Sequence, residues 1–309
     1  MKNRKFIKTV TILFSVVIFS LAISDVHTKN YGAIHEKSSK SLAEKTEKAA
    51  LLYSKNPTDT RIMTYNILAD SKGFEGTDAR TRAHGVFEIF KNFSPDVIGL
   101  QETSRKWFTL ILRNTDYRFI SPVKSEALGL MTTVIYNPET VTLLDYGNKA
   151  FTVKSNFTLR RMVWGHFQNK TSKEDFIIIN THFNLCESDG LKAPLTQSQE
   201  LIRCANTLQE KYDCPVIITG DFNSKERGET KAPYQLLLTA FTDCKNSAKI
   251  QINGNNTTEK SVSLDHIFTL GHIQVKSINF LSYYGLKALS DHYPIYVDIT
   301  VNSPQPTTD

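Results

Sequence analysis

The sequence predicts a mixed α/β fold in which two β-sheets stack on each other and helices cover their outer faces. Apolar runs of strand length outnumber the helical segments, and they come in neighbouring pairs. Helical segments are interspersed among these runs from Arg61 onward. Stacking two sheets and adding helices outside is the arrangement that buries the apolar faces of such elements.

Four segments have the spacing of amphipathic helices. The first, residues 82–93, repeats apolar side chains at helical intervals from Val86 to Phe93, and Ser94-Pro95 is expected to end it. The other three predicted helices cover residues 107–112, 194–212 and 233–241.

Predicted strands account for most of the remaining body. Residues 130–136 and 141–144 are expected to form a β-hairpin around Asn137-Pro138, and residues 162–167 are expected to pair with 176–181. The other predicted strands are residues 61–66, 96–102, 216–220, 265–269, 275–281 and 295–301.

The composition predicts a globular body with balanced charge. The chain has 309 residues, of which 40% are hydrophobic and 22% charged, enough for one large domain or two small ones. The net charge of +6 belongs to the first 56 residues, because the body from Pro57 onward holds 27 basic and 27 acidic residues. The high pI is therefore no argument for a nucleic-acid-binding face on the body.

The N-terminus has the features of an export signal. Basic residues precede an apolar stretch from Thr9 to Ile23, and Ala22 and Ser24 suit cleavage after Ser24. The stretch is short for a membrane span, although an uncleaved anchor is an alternative. We therefore predict a secreted or extracytoplasmic protein. Its expected parts are a signal or anchor at residues 1–24, a polar linker at 25–59, one domain at 60–302 and a flexible tail at 303–309.

The four cysteines leave their redox state open. An exported protein can pair them in three ways, or they can remain buried thiols, and their spacing fits no zinc-site pattern. They are Cys186, Cys204, Cys214 and Cys244.

Two early strands end in oxygen-bearing side chains. Asn66 follows the run from Arg61, and Glu102 follows the apolar run from Val97 to Leu100. A carboxylate beside an amide oxygen is a set of hard ligands that suits Mg²⁺ or Ca²⁺ and suits zinc poorly. The alternatives are a turn-starting asparagine and a solvated glutamate.

Two later strands end in groups suited to phosphoryl chemistry. His182 follows Ile177–Asn180 and can donate to a phosphoryl oxygen, although a lone histidine is more often structural. Asp221 and Asn223 lie two residues apart on an extended chain and so share a face, where a carboxylate can orient or deprotonate a water. The alternative for this pair is an Asx turn.

Two carboxylate–imidazole pairs lie near the C-terminus. Asp265 precedes His266, and Asp291 precedes His292 just before the last strand. A buried carboxylate can hold an imidazole in one tautomer and raise its basicity. The alternative for each pair is a polar loop.

The ordered motifs resemble those of the endonuclease/exonuclease/phosphatase superfamily, whose best-known fold is that of deoxyribonuclease I. They read TYN, LQE, NTHF, GDFN, LDHIF and SDHYP and lie within residues 61–301. The resemblance implies an α/β fold of four layers, an α/β/β/α sandwich of two packed, mainly antiparallel sheets. It also implies hydrolysis of phosphoester bonds with a divalent metal ion, usually Mg²⁺, with Mn²⁺ or Ca²⁺ as alternatives.

The resemblance further implies roles for the catalytic motif residues. His182 corresponds to the residue that stabilises the pentacoordinate phosphorane. Asp221 corresponds to the aspartate that orients or deprotonates water, and Asn223 to the amide that binds phosphate. Asp265 corresponds to the carboxylate that orients His292, the terminal catalytic histidine.

It implies a metal site and two outer residues as well. Asn66, Glu102 and Asp291 correspond to residues on the metal side. Glu126 is similar to a carboxylate that orients His182 in nuclease members, and Arg161 is similar to an arginine before the strand that leads to NTHF.

We therefore expect an exported, metal-dependent phosphoesterase that hydrolyses phosphodiester bonds, as a nuclease or phosphodiesterase, by in-line attack of water. The expected substrate is a nucleic acid, a nucleotide or a phospholipid head group, and the protein is expected to be a monomer. One alternative is a sphingomyelinase-like phospholipase. The other is a catalytically silent binding module, which is disfavoured because all six motifs retain their polar residues.

Overall fold

The structure is a computed structural model. It describes Glu44 and residues 54–69, 78–120, 132–153, 160–186, 191–254, 256–258, 260–284 and 289–301. The predicted export signal, most of the linker, Glu126 and the tail at 303–309 lie outside the described residues.

Thirteen strands, five α-helices and a 3₁₀-helix at Leu281–Tyr284 are described. The strands are β1 (Thr60–Asn66), β2 (Val97–Gln101), β3 (Arg118–Phe119), β4 (Thr132–Tyr136), β5 (Val141–Ala150), β6 (Arg161–Asn169), β7 (Asp175–His182), β8 (Val216–Asp221), β9 (Thr242–Asp243), β10 (Ile250–Ile252), β11 (Asp265–Leu270), β12 (Ile273–Phe280) and β13 (Ile295–Val301). The helices are α1 (Ala79–Phe93), α2 (Arg105–Asn114), α3 (Lys192–Tyr212), α4 (Ala232–Leu237) and α5 (Cys244–Ser247). All four predicted helices are present, although α4 ends earlier than expected.

The strands form two mixed sheets. The first sheet has the order β10-β12-β13-β1-β2-β4-β3, and the second has the order β5-β6-β7-β8-β11-β9. Three neighbouring pairs are parallel, namely β1–β2, β7–β8 and β10–β12, and the other pairs are antiparallel. The predicted architecture of two stacked, mainly antiparallel sheets is confirmed.

The predicted hairpin around Asn137-Pro138 is wrong. β4 pairs with β2 and β3 in the first sheet, whereas β5 pairs with β6 at the edge of the second sheet. The intervening turn therefore carries the chain from one sheet to the other. Both strands have the residue pattern of sheet-forming segments, and that pattern does not distinguish a hairpin from a crossover.

Apolar side chains fill the space between the sheets. Ile62 and Val97 of the first sheet belong to the same fully buried cluster as Ile178 and Ile217 of the second. A second cluster joins the outer face of the second sheet to α3, through Leu201 among others. Helix α1 covers the first sheet, where the ring of Phe93 lies 5.5 Å from that of Tyr296. The layers are thus helix, sheet, sheet and helix.

The cysteine question is resolved in favour of thiols. All four cysteines are buried and none is in a disulfide bond. Burial raises the pKa of the thiols of Cys204, Cys214 and Cys244, which keeps these groups protonated and unreactive. In the part of the chain that the structure describes, no helix combines the length and apolar character needed to cross a membrane.

Candidate active site

The strand registers bring the sequence motifs to one edge of the sandwich. The parallel β1–β2 pair places Asn66 beside Gln101, so that Glu102 directly follows at the same edge. In the second sheet, His182 pairs with Asp221, and Asp221 pairs with Asp265. Residues that are far apart in sequence therefore meet because their strands end at the same level.

Backbone conformation at this edge turns side chains into the cleft. Glu102 has a φ of 58° and Asn223 a φ of 50°, values in the left-handed region that residues with a Cβ rarely adopt. Glu102 directly follows β2, which ends at Gln101, and Asn223 lies two residues after β8, which ends at Asp221. Such strain is stored where the surrounding contacts enforce it, and it commonly marks functional positions.

One oxygen atom is the centre of the site. Asn66 Nδ2 donates to Asp221 Oδ2 over 3.0 Å, His182 Nε2 lies 3.4 Å from the same oxygen, and His292 Nε2 lies 3.7 Å from it. The side chains of these residues are at least nine-tenths buried. Three of the predicted site residues thus converge on a fourth.

The same environment tunes the carboxyl group of Asp221. Burial raises its pKa to about 6, with the charge of Asp265 adding to the rise and His292 opposing it. A carboxylate with a pKa near neutrality is well matched to accept a proton at physiological pH.

A second carboxylate fixes the orientation of His292. Asp265 Oδ2 lies 2.8 Å from His292 Nδ1, which directs Nε2 of the ring towards Asp221. Burial lowers the pKa of His292, but Asp265 and Asp221 outweigh it and raise the pKa to about 10. The imidazolium form, with both ring nitrogens as donors, is therefore the stable form at neutral pH.

The segment Gly220–Asn223 (GDFN) also forms an Asx turn, which was the alternative prediction for it. The backbone N–H of Asn223 donates to Asp221 Oδ1 over 2.9 Å, which is an Asx turn. Asn223 Nδ2 donates to the carbonyl of Phe183 over 2.9 Å and ties the turn to the end of β7. The turn and the site therefore use different oxygens of one carboxylate.

Asn66 and Glu102 lie together, as a shared metal site requires. Asn66 Nδ2 is 3.4 Å from Glu102 Oε1, and Glu102 Oε2 accepts the backbone N–H of Ala69 over 3.0 Å. The amide nitrogen, not the oxygen, of Asn66 faces the carboxylates, because Oδ1 accepts the N–H of Leu68. Ligation of a cation through the amide oxygen therefore requires a flip of this amide.

Acidic groups at this edge suit a divalent cation. The carboxylates of Asp221 and Asp265 have oxygen atoms within 4.8 Å of each other, and His292 ring nitrogens lie within the same distance but can ligate a cation only after the ring has lost its proton. Asp265 Oδ1 is buried without a hydrogen-bond partner among the described residues. Asp291 is half-buried beside Ser290, and its charge contributes to the raised pKa of His292. Clustered carboxylates whose negative charge is not fully compensated suit a hard metal ion that prefers oxygen ligands.

Arg160, rather than its neighbour, faces the site. Burial lowers the pKa of Arg160, and the nearby charges of Asp221 and Glu102 oppose that change. The guanidinium of Arg161 instead donates to Asn148 on β5. Consecutive residues of an extended chain point to opposite faces, so only one of the two arginines can reach the cleft.

Six residues at this edge form what we name the charged layer. They are Asn66, Glu102, His182, Asp221, Asp265 and His292. Two residues earlier on three of the strands lie Thr64, Asn180 and Thr219, which together with Gln101 we name the amide layer. All four of its members are fully buried.

Asn180 cross-links the two sheets within the amide layer. Its Nδ2 donates to the carbonyls of Leu100 and Thr133 over 2.9 and 2.7 Å. Its Oδ1 accepts from Gln101 Nε2 over 2.7 Å and from Thr219 Oγ1 over 3.1 Å. Asn180 was not among the predicted site residues. Its one signal in the sequence is that a polar residue stands where the apolar run Ile177–Ile179 would be expected to continue.

A glycine makes room for this cross-link. A Cβ on Gly99 would lie 2.6 Å from Asn180 Oδ1 and 2.2 Å from Thr219 Oγ1. The close approach of β2 to the second sheet at this level therefore requires glycine.

Fold and site together define a protein of the phosphoesterase type with a deoxyribonuclease I-like sandwich. The family model described as Endonuclease/Exonuclease/phosphatase family matches residues 63–292. Because the match covers most of the chain, this protein belongs to the endonuclease/exonuclease/phosphatase family. A search of curated proteins returned no match.

Solved structures with the same fold have low sequence identity. An endonuclease/exonuclease/phosphatase from Bacteroides vulgatus is 21% identical with a TM-score of 0.67, over 79% of this chain and 100% of that one. The mannosyl-6-phosphatase Bt3783 of Bacteroides thetaiotaomicron is 18% identical with a TM-score of 0.66, over 78% and 99%. TDP2 of D. rerio, complexed with a single-strand DNA product, is 18% identical with a TM-score of 0.61, over 80% and 100%.

Proposed function

We propose that this protein is an exported, monomeric, metal-dependent enzyme that hydrolyses phosphodiester bonds by in-line attack of water on phosphorus. The observation that carries the proposal is the convergence of Asn66, His182 and His292 on one oxygen of Asp221. The convergence supports a mechanism in which Asp221 is the base and His182 and His292 are donors to a single phosphoryl group.

Asp221 is the group that accepts a proton from the attacking water. Its Oδ1 is held by the Asx turn, and Oδ2 faces the cleft, so the carboxylate presents one oxygen in a fixed direction. Its pKa of about 6 leaves it ionised at neutral pH and still basic enough to take a proton as the bond to phosphorus forms.

His182 and His292 stabilise the charge that develops on the phosphoryl oxygens. Their Nε2 atoms both lie near Asp221 Oδ2, at 3.4 and 3.7 Å. Asp265 holds His292 in the protonated, correctly directed form, so its hydrogen bond to a phosphoryl oxygen is charge-assisted. Arg160 adds positive charge on the same side of the cleft.

Glu102, Asn66 and Asp291 are the residues that would hold the metal ion. The carboxylate oxygens of Glu102 and Asp291 suit Mg²⁺, as does the amide oxygen of Asn66 once that amide has flipped, and Mn²⁺ or Ca²⁺ fit the same donor types. When bound, the ion neutralises charge on the phosphoryl group as a Lewis acid.

A substrate panel tests the reaction class. The purified body is incubated with Mg²⁺ and bis-p-nitrophenyl phosphate, plasmid DNA, RNA, sphingomyelin, inositol phosphates and a sugar monophosphate. The last is included because one similar structure is a mannosyl-6-phosphatase. We expect hydrolysis of at least one diester, its loss in EDTA and its recovery with excess Mg²⁺. Full activity in excess chelator would remove the metal from the proposal, and an inert protein would favour a silent binding module.

Export is tested separately. The full chain is expressed with a C-terminal tag, and the N-terminus of the mature protein is sequenced after fractionation. Cleavage after Ser24 supports the signal, whereas an intact leader in the membrane fraction supports an anchor and an intact leader in the cytoplasm contradicts export.

A further inference from the structure

An open pocket of about 500 Å³ lies beside the charged layer. Three segments line it: residues 225–227, residues 245–246, and Asn256 with residues 261–263. We name it the flank pocket. None of the site residues discussed so far lines it.

Two of the three walls of the flank pocket are continuous with the site motifs. Ser263 precedes Asp265 by two residues, at most about 7 Å of chain, and Lys225 follows Asp221 by four residues, at most about 14 Å of chain. A group bound in the pocket would therefore lie within one short chemical linker of the reacting phosphate.

Hydrogen bonds of Thr257 and a β-bridge of Thr258 join the wall formed by Asn256 and residues 261–263 to the site. Thr257 Oγ1 accepts the backbone N–H groups of Leu264 and Asp265 over 2.9 and 3.1 Å. Thr258 forms a β-bridge with His292. The position of this wall is therefore coupled to the two residues that form the carboxylate–imidazole pair.

The flank pocket is positively charged. Lys245 Nζ pairs with Glu226 Oε1 at 2.5 Å, so these two charges cancel. Lys225 and Arg227 are exposed and form no ion pair with any residue that the structure describes, which leaves two cationic groups in the lining. The other lining residues are neutral, and most are Asn or Ser, which can donate hydrogen bonds.

We propose that the flank pocket binds a second phosphate group of the substrate, joined to the reacting phosphate by a small linker. The proposal deepens and rests on the proposed phosphoester hydrolysis. Two cations beside hydrogen-bond donors are the chemistry that recognises a phosphate dianion. The same charges repel the quaternary ammonium of a choline head group, which argues for a substrate with several phosphates over a sphingomyelin-like lipid.

Calorimetric titration at fixed ionic strength tests the proposal with thymidine 3′,5′-bisphosphate and thymidine 5′-monophosphate as probes. We expect the wild-type protein to bind the bisphosphate at least tenfold more tightly than the monophosphate. In the double variant Lys225→Ala/Arg227→Ala this ratio should fall to near one. The matched control is Lys91→Ala/Arg113→Ala, which removes one exposed lysine and one exposed arginine from α1 and α2 and should keep the ratio.

Equal affinities in the wild type, or a ratio that survives in the Lys225/Arg227 variant, would overturn the proposal. A ratio that falls equally in the control variant would reduce it to a general charge effect and would overturn it too. Hydrolysis of bis-p-nitrophenyl phosphate by the wild type is measured in parallel. A retained bisphosphate preference in a protein that hydrolyses no substrate of the panel would reject the reaction class and leave the phosphate site standing.

Discussion

Three residues of the charged layer lie two positions after three residues of the amide layer on the same strands, and both layers are buried and polar, yet they differ in charge. Asn180 in the amide layer makes four hydrogen bonds with neutral partners. Each layer has a buried side-chain oxygen without a hydrogen-bond partner among the described residues, Gln101 Oε1 and Asp265 Oδ1, but only in the charged layer do burial and a neighbouring carboxylate raise the pKa of an acid, Asp221. The difference indicates that one layer stabilises the sandwich while the other retains reactivity at the expense of stability.

Of the predicted changes, Asp221→Asn should lower the rate of hydrolysis most, because it removes the proposed base of the charged layer. Loss of the base is expected to lower hydrolysis of bis-p-nitrophenyl phosphate by about 10⁴-fold. Because the substitution removes a buried charge, the free energy of unfolding in urea should stay equal or rise. Asp213→Asn is the control, since Asp213 is exposed in a left-handed conformation that Asn accepts. A slow and also unstable Asp221 variant would contradict the division between the layers.

Asn180→Leu should affect stability instead, because it removes the hydrogen bonds that hold the amide layer together. Two carbonyls, Gln101 and Thr219 lose buried partners, so the free energy of unfolding should fall by about 4 kcal/mol. Urea denaturation measures the change, and Asn114→Leu, at an exposed position, should stay within about 0.5 kcal/mol of wild type. An Asn180 variant as stable as wild type would show that the inter-sheet cross-link is not a stabilising element.

The pH dependence of stability sharpens the comparison at His292. Its folded pKa of about 10 lies above the ordinary value of 6.5, so the folded state keeps a proton that the unfolded chain releases. The resulting stabilisation is complete below pH 6.5 and is lost as the pH rises to 10. In chelator, the stability advantage of wild type over His292→Gln should shrink by about 4 to 5 kcal/mol across this window, which follows from about 1.4 kcal/mol for each unit of pKa. A constant difference would mean that His292 is not held protonated.

The two arginines provide the smallest and most selective test. Arg160→Ala should lower hydrolysis by about tenfold, because Arg160 lies near Asp221 and Glu102. Arg161→Ala should change the rate less than twofold, since that side chain bonds to Asn148 outside the cleft. The reverse ranking would restore the assignment that the sequence suggested.

The fold and the charged layer were predictable from the sequence because polar residues interrupt apolar runs at strand ends. Asn66, Glu102, His182 and Asp221 each follow such a run, and the strand registers bring them together. The choice of Arg161 over Arg160 could not be settled, because alternation along β6 depends on a register that only strand pairing fixes. The crossover after β4 was missed because local patterns carry no information about which sheet a strand joins. Asn180 was missed because its four partners come from distant segments.

The placement of β13 between β1 and β12 has a consequence for biosynthesis. The second sheet is encoded by residues 141–270, a stretch interrupted only by β10 of the first sheet, whereas the first sheet joins residues 60–136 to residues 250–301. During synthesis β1 therefore waits for residues 295–301 before its antiparallel neighbour exists. We expect the nascent chain to expose an unpaired sheet edge until translation is nearly complete, which makes assistance by a chaperone most valuable for its N-terminal half.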